Sequence, residues 1–177
     1  MKTLIVRVAD CQISSDPDVM LATYALGSCI AVSAYDPETK IGGLLHFMLP
    51  ASAEDAAKAA ANPFMFADTG LKTLFARIAE AGGRQDRSHI CLAGGAQLMD
   101  PKGVFNIGKR NHTAARTLLW RTGLMVQAEA VGGTVSRTVG LEIATGRFWV
   151  REGALAEREI YRASKTGRLN GTPCPDC

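Results

Sequence analysis

The sequence predicts an α/β (mixed α+β) fold, a β-sheet core packed by helices. Three observations carry that prediction. Short apolar or alternating runs recur between Gly-Gly and Asp-Pro punctuation, the pattern of strands and turns. Two segments instead space their apolar residues along one helical face. The length of 177 residues suits one compact domain. Such a chain buries about 70% of its unfolded surface and needs no disulfide or metal to hold it.

The elements follow in order. Thr3 to Val8 alternates and reads as a strand. Cys29 to Tyr35 and Ile41 to Leu49 are apolar runs separated by Asp36-Pro37-Glu38-Thr39-Lys40. Asp-Pro favours a type I turn, so these runs predict a β-hairpin. Leu71, Leu74, Phe75 and Ile78 fall at i, i+3, i+4 and i+7 and predict a helix. Asp68 and Lys72 are spaced to pair on it, and Gly82 is its expected stop. A strand near Ser88 to Ala93 precedes a loop rich in Gly, Pro and Asn. Asn111 then reads as the N-cap of a second helix, with Ala115, Leu118 and Leu119 as its stripe and Gly123 as its end. Leu124 to Val131, Arg137 to Ile143 and Arg147 to Val150 predict three closing strands. The chain is polar from Arg151, with a short helix expected around Leu155 to Arg162. Gly167 to Cys177 reads as a flexible end. One folded domain is therefore expected over 1–151 and a polar tail over 152–177. Gly-Gly pairs at 42–43, 82–83, 94–95 and 132–133 predict tight turns and bulges.

Composition narrows the function classes. Hydrophobic residues make up 47% and charged residues 21%, which excludes a disordered chain. No apolar stretch approaches the roughly 18 residues of a membrane span. Met1-Lys2-Thr3 leads straight into a strand pattern, so a signal peptide is not expected and the expected location is cytoplasmic. Five cysteines, at 11, 29, 91, 174 and 177, are then read as reduced thiols. The net charge of +3 is uneven. Residues 1–80 carry 6 basic and 9 acidic side chains, and residues 81–177 carry 14 and 8. The basic half has no dense cluster and few aromatics, and it carries no nucleic-acid reader motif. Gly94-Gly95-Ala96 lacks the P-loop pattern, so no nucleotide cofactor is expected. Cys174-Pro175-Asp176-Cys177 supplies two thiolates where a structural zinc takes four ligands, so no metal is expected either. His89 and His112 read as structural or exposed.

The segment Thr23-Tyr24-Ala25-Leu26-Gly27-Ser28-Cys29, followed by His46, is the most informative. A cysteine and a histidine are the minimal parts of a thiol hydrolase, a sulfur nucleophile and a general base. A turn centred between Pro37 and Glu38 would place Cys29 directly opposite His46, with Cβ atoms about 4.5–5.5 Å apart. Gly27 and Ser28 allow a sharp bend that leaves N–H groups free for an oxyanion. Cysteine is also among the most buried residue types, and a histidine beside it can be a satisfied core residue. Spacing alone leaves both readings open.

Three blocks add to this. Thr23 to Cys29, Tyr35-Asp36-Pro37 and Gly42-Gly43-Leu44-Leu45-His46-Phe47-Met48-Leu49-Pro50 resemble the signature of the CheD family of chemoreceptor glutamine deamidases. The resemblance continues through Gly94-Gly95-Ala96, Ile107-Gly108-Lys109-Arg110-Asn111, and Gly132-Gly133 with Arg137, and covers roughly residues 3 to 151. It departs at Ala130, where Asp is common, at Ser136, where Gly is common, and over Cys91-Leu92-Ala93. It implies a fold similar to the catalytic domains of deamidating toxins. It also implies a catalytic set of Cys29 as nucleophile, His46 as base and Thr23 as the residue that orients the imidazole. Backbone N–H groups of Ser28 and Cys29 would hold the oxyanion. The implied reaction is hydrolysis of receptor glutamine amides, and of glutamate methyl esters, through a Cys thioester. Chemotaxis receptors are the implied substrate. An alternative role is that of a regulatory module bound to a CheC-type phosphatase.

Overall fold

The computed structural model describes residues 1–98 and 106–163. In chain order its strands are β1 (Lys2–Ile5), β2 (Asp10–Ser14), β3 (Val19–Leu26), β4 (Ile30–Asp36) and β5 (Ile41–Phe47). Two helices follow, α1 (Ala56–Ala61) and α2 (Ala67–Glu80), then β6 (His89–Gly94) and α3 (Ile107–Arg121). The closing strands are β7 (Val126–Val131), β8 (Arg137–Glu142), β9 (Arg147–Glu152) and β10 (Arg158–Arg162). No helix among the described residues is long and apolar enough to cross a membrane.

The strands form two five-stranded sheets, one ordered β1-β3-β8-β9-β10 and the other β2-β5-β4-β6-β7. Most neighbours are antiparallel; β1 with β3 and β6 with β7 are parallel. The molecule has three layers. Ala31, Tyr35, Leu44 and Cys91 of the second sheet pack against Leu21, Val139, Leu141 and Phe148 of the first. On its other face the second sheet presents Ile30, Val32, Leu45 and Phe47 to Leu71, Leu74 and Ile78 of α2 and to Ala115 and Leu119 of α3. The second sheet is thus covered on both faces. That is why β4 and β5 read as unbroken apolar runs rather than alternating ones.

The structure corrects several expectations. Gly42 and Gly43 lie inside β5, not in a turn. A Cβ on Gly42 would come within 2.6 Å of Ile143, and one on Gly43 within 2.5 Å of Ile13. These glycines let both neighbouring layers approach the strand. Residues 155–162 form no helix: β10 pairs antiparallel with β9, so the segment expected as a tail supplies an edge strand. The second helix begins at Ile107 after Asn106, which places Asn111 inside it. Asp68 does not pair with Lys72; its carboxylate accepts from the Ser52 N–H and hydroxyl. Cys174, Cys177 and the expected flexible end lie outside the described residues.

Candidate active site

Thr23 and His46 come from different sheets. Thr23 sits on β3, directly before a bulge in its pairing with β8 that ends at Leu26. Within that bulge Ala25 takes a left-handed φ of 55°. Bulges of this kind re-aim side chains beside functional sites. His46 sits near the end of β5, an interior strand of the other sheet, with Asp10 of β2 on one side and Ala31 of β4 on the other. Thr23 Oγ1 and His46 Nδ1 are 2.8 Å apart. Both residues are only 1% exposed, so this hydrogen bond spans the dry space between the layers.

The hairpin register differs from expectation. Asp36 pairs with Ile41, and Ala31, not Cys29, lies opposite His46. The connection has four residues, Pro37 to Lys40, and Lys40 closes it with a left-handed φ of 55°. A two-residue slide preserves the face to which a side chain points. Cys29 accordingly packs against the same inter-sheet cluster as Ala31 and Leu44. It is a diagonal neighbour of His46, a relationship that spans about 7–8 Å in a regular ladder.

Cys29 is half-buried at the last bend before β4. Its carbonyl accepts from Gly95 N–H at 2.8 Å, and the Gly27 carbonyl accepts from Ala96 N–H at 2.8 Å. The N–H groups of Ser28 and Cys29 donate to no backbone carbonyl among the described residues. Among the described residues, the bend therefore has its acceptors tied down while these two donors enter no backbone ladder. Gly94 makes this docking possible. It has φ of 111°, and a Cβ there would lie 2.2 Å from the Cys29 carbonyl oxygen. A pocket of about 380 Å³ opens beside the thiol, lined in part by Ala25, Gly27, Ser28 and Cys29 on one side and Gln97, Asn106 and Gly108 on the other.

Electrostatics set the resting protonation state. Burial pushes the His46 pKa down from 6.5 to about 4, only partly countered by Asp10. Burial raises the Cys29 thiol above its ordinary value, and its own backbone N–H offsets part of that. At neutral pH the resting pair is a neutral imidazole and a neutral thiol. His46 Nε2 is buried and bonded to nothing. If Nδ1–H donates to Thr23, Nε2 is left as a free lone pair facing away from the threonine.

The remaining candidates separate cleanly. Cys11 and Cys91 are buried in the two cores, and burial lifts both thiols to about 12. His89 pairs with the Tyr161 hydroxyl at 3.0 Å, and His112 with Glu129 at 3.0 Å. Sequence reasoning missed β3 as an element, although Val19 to Leu26 is an apolar run bounded by Asp16-Pro17-Asp18 and Gly27. It also missed Asp10, which only the β2–β5 pairing brings beside His46.

Comparison with known proteins settles the lineage. The family described as CheD chemotactic sensory transduction matches residues 48–152, more than half of the chain. The chain belongs to the CheD family. It is 53% identical over 152 residues to a "probable chemoreceptor glutamine deamidase CheD" of Solibacter usitatus, covering 86% of this chain and 90% of that protein. A protein of the same description from Syntrophus aciditrophicus is 42% identical over 160 residues, covering 90% of this chain and 100% of its own length. A third, from Anaeromyxobacter dehalogenans, is 42% identical over 153 residues, covering 86% of this chain and 96% of its own.

Proposed function

We propose that this CheD-family chain hydrolyses the side-chain amide of glutamines on chemotaxis receptors, with Cys29 as nucleophile, His46 as general base and Thr23 as the group that orients the imidazole. The Thr23–His46 hydrogen bond at 2.8 Å carries the reading. A buried imidazole held at Nδ1, with Nε2 unbonded and a half-buried cysteine one diagonal step away in the hairpin register, suits a base awaiting a proton. The relatives' descriptions supply the substrate class.

The chemistry follows from the resting state. His46 Nε2 takes the Cys29 proton as the sulfur attacks the glutamine carbonyl carbon. The N–H groups of Ser28 and Cys29 face the oxyanion that develops. The imidazolium returns its proton to the departing nitrogen, the C–N bond breaks, and ammonia leaves a thioester. His46 then removes a proton from water, the hydroxide displaces sulfur, and the thiol regains its proton. The same acyl steps accept a glutamate methyl ester, with methanol as the leaving group. Thr23 carries no charge, so it fixes the tautomer without strongly stabilising the imidazolium. A thiol nucleophile needs a reducing compartment, consistent with cytoplasmic residence.

Mass spectrometry of a receptor cytoplasmic fragment tests the proposal. Incubation with the wild type should convert specific glutamines to glutamates with release of ammonia, and Cys29→Ala should convert none. Conversion by the Cys29→Ala variant would overturn it.

A further inference from the structure

Asn111 is a buried side chain to which the mechanism above gives no part. It lies in the second turn of α3 and is fully buried. Its amide nitrogen donates to the Ser28 carbonyl at 3.0 Å and to the Met48 carbonyl at 2.7 Å. Ser28 immediately precedes the nucleophile. Met48 follows His46 by two residues, just past the end of β5. One NH₂ group therefore ties the arm that carries the thiol to the arm that carries the imidazole.

The residue type fits that task and little else. Only a primary amide offers two N–H donors at the end of so short a side chain. Aspartate would set a carboxylate against two carbonyl oxygens, and serine has one donor for two acceptors. Asparagine at this position carries a burden, because its Oδ1 is buried with no partner. A buried unpaired acceptor in a native fold calls for a reason. The reason here is that both neighbours are carbonyls, so the amide must face them with its nitrogen. Helix α3 is itself pressed onto the nucleophile bend. A Cβ on Gly108 would lie 2.3 Å from the Gly95 carbonyl oxygen, and Gly95 N–H holds the Cys29 carbonyl.

We propose that Asn111 is a positioning residue that sets the separation of Cys29 from His46, holding the thiol diagonal to Nε2 and within reach of it once substrate seats. The proposal rests on the Cys29–His46 reading above and concerns alignment, not contact with substrate.

A double-mutant cycle tests it without needing a receptor. The probe is iodoacetamide, with alkylation of Cys29 in the native protein followed by peptide mass spectrometry at neutral pH. His46→Ala should slow the wild-type reaction about 100-fold, the usual scale of general-base assistance. Asn111→Ala should slow it similarly, and His46→Ala added to Asn111→Ala should change little more. Effects that multiply instead would overturn the Asn111 proposal alone. No effect of His46→Ala in the wild-type background would overturn the Cys–His reading and the proposal with it. On a receptor fragment, Asn111→Ala should lower kcat about 100-fold with KM unchanged. A loss confined to KM would assign Asn111 to substrate binding and overturn positioning. Should Asn111→Ala fail to fold, Asn111→Ser keeps one donor and should give a smaller loss coupled to His46 in the same way. In the wild-type protein both Nδ2 protons should exchange slowly by NMR. Rapid exchange of both would remove the clamp and the proposal.

Discussion

Thr23 and His46 are joined by a 2.8 Å hydrogen bond that runs from one sheet to the other. The imidazole stands on a strand buried on both faces, and its orienting hydroxyl is delivered by a separate layer. Thr23→Val should leave Nδ1 buried without a partner, lowering stability by about 1–3 kcal/mol. It should lower kcat while leaving residual deamidation, and Thr23→Ser should restore most of the rate. Urea denaturation and receptor deamidation read the two effects. A loss as complete as that of Cys29→Ala would contradict an orienting role.

Stability should depend on pH through His46. The unfolded histidine titrates near 6.5 and the folded one at about 4, so between those values the unfolded chain holds the extra proton. Stability is then fully present above 6.5 and falls as pH drops toward 4, by about 3 kcal/mol from this group. His89, lowered by burial in the same direction, adds to the slope. Denaturation of the wild type and His46→Gln across pH 4–7 should differ by the His46 share. Parallel curves would refute the assignment.

Thiol reactivity should sort the cysteines. Cys29, half-buried with its pKa raised above the ordinary 9.0, should be alkylated slowly at neutral pH, with a rate still climbing at pH 9. Cys11 and Cys91, at about 12, should stay unmodified until the chain unfolds. Site-resolved mass spectrometry after iodoacetamide pulses gives the order. Reaction of Cys91 in the native protein ahead of Cys29 would overturn it.

Gly94 is the most restrictive backbone position beside the nucleophile. Gly94→Ala forces a left-handed alanine costing about 1–3 kcal/mol. It also drives a methyl group to 2.2 Å from the Cys29 carbonyl. The bend must shift, so deamidation should fall far more than the melting temperature suggests. An active Gly94→Ala enzyme would show that the Cys29 bend tolerates displacement.

Much of this was legible in the sequence, and what was not has physical causes. The hairpin was visible because Asp36-Pro37 interrupts two apolar runs, and α2 because Leu71, Leu74, Phe75 and Ile78 share a face. The resemblance placed the candidate set on Thr23, Cys29 and His46. Register was not visible, because Asp-Pro suits loops of several lengths and only the left-handed Lys40 reveals the four-residue connection. β3 was hidden because its less buried positions, Met20, Tyr24 and Ala25, are themselves apolar or aromatic, so the sequence shows no alternation. β10 was hidden because a polar edge strand draws its order from pairing with β9. Asn111 stood out in the sequence, but as a cap. Its two carbonyl partners are distant in sequence and meet only when α3 docks.

The four-residue connection between β4 and β5 lies at the far end of the hairpin from the chemistry, yet it does the counting for the site. A one-residue slip in that register would turn His46 toward the α2 side and leave Thr23 without a partner. A two-residue slip would keep the imidazole in the inter-sheet layer and set it opposite Cys29. The register that this solvent-facing loop closes is the one that leaves His46 facing Thr23.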